Sequence, residues 1–184
     1  IMASIIKANQ LQDFGGNSIL TSDGAGVVTP NATGIKMTPA FEATLSANQG
    51  ISDATDTKVQ FDTETFDTDS CYDNSSNYRF TPTTAGKYYV YARIQSDAQA
   101  AANFSQAQIK IYKNGSRAAQ TQMNMNNNNP ENIGVNVFNI MDMNGSSDYL
   151  EIYAYIDDTS STPTIRGTSS YSWTSFGAYK IIGT

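Results

Sequence analysis

From Phe80 to Ile94 the chain reads Phe-Thr-Pro-Thr-Thr-Ala-Gly-Lys-Tyr-Tyr-Val-Tyr-Ala-Arg-Ile. A strand end, a turn carried by Pro82 and Gly86, and a strict alternation follow one another, the pattern by which a chain enters a half-buried β-strand. The same alternation returns in Gln108-Ile-Lys-Ile-Tyr-Lys and in Tyr149-Leu-Glu-Ile-Tyr-Ala-Tyr-Ile, and Lys113-Asn-Gly-Ser is a tight-turn signal. Strands are expected at 41–45, 58–63, 67–72, 87–95, 107–113, 117–123, 133–141, 148–156, 164–167 and 171–182. No amphipathic helical pattern interrupts them; the alanine-rich 97–103 stretch is one turn at most. About ten short strands at regular intervals specify an all-β protein of antiparallel strands, a sandwich or a jelly roll.

Composition narrows the functional classes. Charged residues make up 15% of the 184 residues and aromatics 11%, the reverse of a disordered chain. The net charge is -6 and the eleven basic residues are scattered from Lys7 to Lys180, which argues against nucleic acid, since phosphate binding needs clustered cations. No apolar stretch approaches the length of a membrane span. The single cysteine, Cys71, forms no intramolecular disulfide and reads as a small buried side chain. The fold must therefore be held by its core or by oligomerisation.

Residues 1–38 differ from 39–184. Asn17-Ser-Ile-Leu-Thr-Ser-Asp-Gly-Ala-Gly-Val-Val-Thr-Pro reads as two short strands around an Asp23-Gly24 turn. A hairpin of that size buries too little to stand alone and needs sister copies or a larger scaffold. The opening residues are not a secretory signal, because Lys7 and Asn9 interrupt the apolar run.

The chain contains no histidine. That removes Ser-His-Asp and Cys-His catalysis and the commonest general base. No phosphate-cradling glycine motif occurs. Asp62, Glu64, Asp67, Asp69 and Asp73 crowd one segment; a pair of them is the only candidate for glycoside hydrolysis, and a solvated acidic loop is the simpler account. No cofactor is expected. The one cation option is calcium at Asp157-Asp158 with Thr159, where no spacing matches a calcium loop. Met123-Asn-Met-Asn-Asn-Asn-Asn-Pro-Glu-Asn is either a long polar turn or an exposed patch of amides suited to sugar hydroxyls.

The spacing of Phe61, Asp67, Tyr72, Phe80, Gly86 and Tyr88 resembles the signature of the globular head domain of complement component one subunit q, which shares its jelly roll with tumour necrosis factor. One extra residue lies between Tyr72 and Phe80, and Val90 and Ala92 replace the signature's last two aromatics. The ending Trp173-Thr-Ser-Phe-Gly-Ala-Tyr-Lys-Ile is similar to the family's closing strand. The resemblance covers about 41–182 and implies a homotrimer. On that basis Tyr88, Tyr153, Tyr155 and Phe176 are candidates for the trimer core, with packing inside the subunit as their alternative role. It also implies that the first and last strands share one end. The loops 96–103, 124–132 and 157–170 then lie at the other end, where Asn126, Asn127, Asn128, Asn129 and Arg166 are candidate contacts for a partner or host glycan.

The opening Met-Ala-Ser-x-Ile-Lys-x-Asn-x-Leu, with Ser-Asp-Gly-Ala-Gly-Val-Val after it, resembles the attachment ends of virion proteins of tailed bacteriophages. This resemblance implies a non-enzymatic short fibre, spike or head-decoration protein, assembled in the host cytoplasm, released by lysis and joined to capsid or tail proteins through residues 1–38. The alternatives are a secreted trimeric ligand-binding head of the cytokine-like superfamily and, third, a polysaccharide-degrading fibre tip.

Overall fold

The structure is a computed structural model and describes residues 8–99, 104–125, 129–159 and 162–182. Three short strands come first, β1 Gln10–Gln12, β2 Ser18–Ser22 and β3 Val28–Pro30, in an antiparallel sheet of order β1-β2-β3. The expected turn is present. The Asp23 carboxylate accepts from the N–H groups of Ala25 and Val27 at 2.7 and 3.1 Å, an Asx arrangement that lets the chain reverse. Strand β1 has no counterpart in the alternation reading, because a lone Leu11 between two glutamines carries no period. None of the residues 8–32 or 34–38 is buried, and burial begins at Pro39.

From there the described residues carry β4 Ala40–Thr44, β5 Gln49–Gly50, β6 Thr57–Lys58, β7 Thr63–Asp67, β8 Tyr72–Asp73, β9 Arg79–Phe80 and β10 Gly86–Asp97. Strands β11 Phe104–Lys113, β12 Ser116–Asn124, β13 Asn132–Met143, β14 Leu150–Asp158, β15 Thr164–Ile165 and β16 Ser175–Lys180 follow. They form two antiparallel sheets. In the first, β10 lies between β13 and β16, with β4 and β7 beyond β16 and the short β15 and β5 continuing at one end. The second runs β12-β11-β14-β9-β8, with β6 also on β14.

The long strands stand where alternation placed them: β10 to β13 are extended by one to three residues, and β14 is shifted by two residues towards the C-terminus. At the hairpin between β11 and β12, Asn114 and Gly115 both take positive φ (52° and 77°), the geometry an Asn-Gly pair supplies. Three expectations need correction. A strand was expected at 58–63 and another at 67–72, but the ladder residues are Thr63–Asp67, which pair with β4. Val59 and Phe61 are buried without being part of a long strand. Their alternation therefore reports burial rather than pairing. At 67–72 the chain bends: Ser70 has φ 52°, and Asp67 accepts the Tyr72 N–H at 2.8 Å. The last strand begins at Ser175, not 171, because Arg93 donates to the Ser172 carbonyl at 2.6 Å and diverts that segment from the ladder.

The inner faces of the sheets interdigitate. Val90, Ala92 and Ile94 of β10 join Ile109 and Ile111 of β11 and Ile152 and Ile156 of β14, all at 2% exposure or less. At one side the rings stack: Phe41 lies 4.7 Å from Tyr72, 4.5 Å from Phe80 and 4.8 Å from Phe176, centre to centre. Phe61 meets Phe176 at 5.7 Å and Phe80 meets Tyr88 at 5.6 Å. Each such ring, fully buried, contributes about 1.5–3 kcal/mol of transfer free energy, with the mutual orientation of the rings adding to it. The spaced aromatics of 61–88 are therefore a single packing cluster.

Candidate functional site

Strand register assigns the outward face of the first sheet row by row. Ile140, Tyr89, Tyr179 and Ala40 are cross-strand neighbours in one row; Phe138, Tyr91, Gly177, Glu42 and Phe66 form the next. Tyr89 packs 5.4 Å from Tyr179 and 6.4 Å from Phe138. The tip of the Tyr91 ring covers Gly177, where a Cβ would come within 2.4 Å of it, and its hydroxyl donates to Glu42 at 2.9 Å. Burial and that bond to a carboxylate both push the Tyr91 phenol well above its ordinary range. Phe138 and Ile140 are nonetheless 65% and 54% exposed. Two rows of aromatic and aliphatic side chains thus face outward together, a contiguous apolar patch of the kind that marks an association surface.

The four residues expected at a trimer core do not share that face. Tyr88 and Phe176 are at 0% exposure between the sheets, and the Tyr88 hydroxyl donates to the Thr84 carbonyl at 2.7 Å. Packing inside the subunit is their role, leaving no surface for a neighbouring copy. Tyr153 and Tyr155 lie on the outside of the second sheet. There Tyr153 packs 4.3 Å from Tyr112, and Lys110 sits 5.1 Å above the Tyr155 ring while pairing with Asp56. Lys58 pairs with Glu151 at 2.5 Å beside Tyr153. The aromatics that the sequence reading missed, Tyr89, Tyr91, Phe138 and Tyr179, are immediate neighbours of inward residues. The signal was available in the parity of β10: if Tyr88 and Val90 face in, Tyr89 and Tyr91 face out.

The ends of the sandwich are set by the same registers. Ala40 pairs with Tyr179, Tyr88 with Lys180 and Gly86 with Met143, so the first and last strands share an end. At the other end Asp97 pairs with Asn132 and Thr164, Phe104 with Asp158, and Gln106 with Asn124. The loops after residues 97, 124 and 158 therefore leave the sheets side by side. Asn126, Asn127 and Asn128 lie outside the described residues; Asn129 is half-buried. Arg166 is engaged within the subunit. Its Nε donates to Asp97 at 2.7 Å, its guanidinium stands 5.9 Å from the Trp173 ring, and its carbonyl accepts from the Thr174 hydroxyl at 2.7 Å.

Within the acidic segment, Asp62 and Asp73 are occupied in holding neighbouring backbone. Asp62 accepts from the backbone and hydroxyl of Ser46 at 2.8 and 2.6 Å. Asp73 accepts from the N–H groups of Ser75, Ser76 and Asn77 at 3.1, 2.9 and 3.1 Å and from the Asn77 amide at 2.7 Å; donation from Ser76 above all holds its carboxyl well below the usual carboxylate range. A carboxyl so committed is a poor general acid. At the calcium candidate, Asp158 is buried and its N–H donates to Asp53 at 2.8 Å. Among the described residues no group of three or more His, Cys, Asp or Glu side chains is placed to hold a metal. Burial pushes the Cys71 thiol up, away from the thiolate that reactivity needs.

No protein-family model matches the sequence, and no relative is found among curated proteins. Solved structures do match. The globular domain of a zebrafish complement 1qA protein aligns over 78% of this chain and 97% of its own, with TM-score 0.53 and 12% identity. Eiger TNF from S. frugiperda aligns over 79% of this chain and 93% of its own, with TM-score 0.52 and 10% identity. With its two sheets and their registers, the chain has the antiparallel jelly-roll fold of complement-q heads and tumour necrosis factor.

Proposed function

We propose that this protein is a non-enzymatic virion structural protein of a tailed bacteriophage, a homotrimeric short fibre, spike or head-decoration protein. Its sandwich faces outward and residues 1–38 attach it to capsid or tail. The observation that carries the reading is the outward face of the first sheet. Tyr89, Tyr91, Phe138, Ile140 and Tyr179 are brought together there, and a jelly roll that leaves such a face uncovered is completed by copies of itself, closed by symmetry. The unburied sheet β1-β2-β3 supports the attachment role, because three short strands with no buried residue need a partner. In this assembly the loops after residues 97, 124 and 158 form the end distant from the attachment segment and are the recognition surface. Multi-angle light scattering should give a mass near three times 19.9 kDa; a clean monomer at micromolar concentration refutes the trimer. Antibody to the chain should label intact phage particles, and unlabelled particles refute the virion role.

A further inference from the structure

The third outward row of the first sheet changes character. Asn136, Arg93, Ser175, Thr44 and Thr63 succeed one another across β13, β10, β16, β4 and β7. This polar row runs into a groove of about 320 Å³ between the ends of β4 and β7 and the segment 168–172. Thr44, Ser46, Thr63, Thr65 and Ser170 line it, and Glu64 is the one charged side chain on its wall. Tyr171 also lines the groove, 60% exposed, and Trp173 stands 5.2 Å from it at a 60° tilt, 36% exposed. The wall is fixed at both ends: Arg93 holds the Ser172 carbonyl, and the Thr174 hydroxyl donates to Arg166. The Ser172 hydroxyl is buried with no hydrogen-bond partner among the described residues.

We infer that this groove binds one neutral sugar unit of a glycan, an inference that rests on the reading of this end as the recognition end. Hydroxyl side chains both donate and accept and rotate to suit, as the hydroxyls of a pyranose require. Exposed tyrosine and tryptophan offer a flat apolar surface with a polar edge, matching the C–H face of the same ring. The volume is at the lower end of the range of ~300–1,000 Å³ typical of small-molecule sites, enough for one sugar unit and not for a long oligosaccharide. The solitary carboxylate of Glu64 and the net charge of -6 select against acidic sugars and for neutral ones.

Trp173 is the only tryptophan in the chain and packs against Tyr171 of the groove wall, so its fluorescence reports events beside the groove. The assembled protein should be titrated with maltotriose, triacetylchitotriose and, as the anionic comparison, free N-acetylneuraminic acid, up to about 10 mM, where even millimolar binding saturates. A saturable change in emission and protection from acrylamide quenching are expected with a neutral trisaccharide and not with N-acetylneuraminic acid. Tyr171→Ala and Thr65→Val should each weaken that response at least about tenfold, with the melting temperature unchanged because both side chains stand outside the core. The absence of any response to both neutral sugars overturns the groove, as does an equal response to N-acetylneuraminic acid. The recognition-end reading is tested separately. Replacing 126–129 by Gly-Ser should reduce adsorption of particles while leaving the Trp173 titration intact. A silent titration with reduced adsorption sinks the groove and keeps the recognition end; a sugar response with adsorption untouched by every change at this end keeps the groove and sinks the recognition end.

Discussion

Phe176 and Tyr179 belong to one strand and face opposite ways. Phe176 is wholly buried against Phe41, Phe61 and Tyr72, while Tyr179 lies outside the sheet against Tyr89. Phe176→Ala removes a ring from a close-packed cluster and leaves a cavity, which costs about 3–5 kcal/mol. It should lower the urea midpoint sharply at fixed protein concentration. Tyr179→Ala removes no inter-sheet contact, so the unfolding free energy of the isolated subunit should change by less than about 1 kcal/mol, while self-association weakens. Equal destabilisation by both substitutions would contradict the assignment of faces. The same residue-level logic explains Asp67: its carboxylate closes the bend before Tyr72 at 2.8 Å, so its place in the spaced pattern is a turn requirement, not a catalytic one.

At the scale of elements, β10 organises the molecule. Its twelve residues pair over their full length with β13 on one side and with β16 and then β15 on the other. Every row of the first sheet passes through it. The sheet β1-β2-β3 is the opposite case: it exposes Leu11, Phe14, Val27 and Val28 and contributes nothing to the aromatic cluster. Deleting 1–38 should therefore leave the circular dichroism and the thermal midpoint of the head almost unchanged, within about 2 °C, and leave the trimer mass per chain reduced only by the segment removed. The truncated protein should no longer join particles in a reconstitution assay. Normal incorporation would refute the attachment role proposed for 1–38.

For the whole molecule, the decisive surface is the pair of apolar rows on the first sheet. A charge introduced there remains solvated in the monomer and would be desolvated in the proposed trimer, where an unpaired buried charge is strongly unfavourable. Phe138→Asp with Ile140→Asp should raise the dissociation constant of the trimer at least about 100-fold, equivalent to about 2.7 kcal/mol, and yield a folded monomer by sedimentation. Paired charges on the second sheet, such as Lys58 with Glu151 and Lys110 with Asp56, keep that face polar. A double variant that stays trimeric, or an assembly disrupted instead by changes at Tyr153 and Tyr155, would move the interface to the other sheet.

Alternation and turn chemistry determined the long strands, because period-two patterning and an Asn-Gly turn are local properties of Gln108–Ile111, Asn114-Gly115 and Tyr149–Ile156. The spaced aromatics determined a sandwich with a stacked core. Burial at Val59 and Phe61 was equally legible, but whether those residues pair in a ladder was not. A hydrophobic side chain records what it packs against, whereas a backbone hydrogen bond depends on which strand arrives beside it. In Tyr88-Tyr89 both residues are aromatic, and composition alone does not say which faces inward; the register of β10 against β13 and β16 decided it. The groove beside Tyr171 was illegible for the same reason. Its walls come from Thr44 and Ser46, residues 63–65 and residues 168–172, distant in sequence and joined only where β4 pairs with β7 and the final loop folds over their ends.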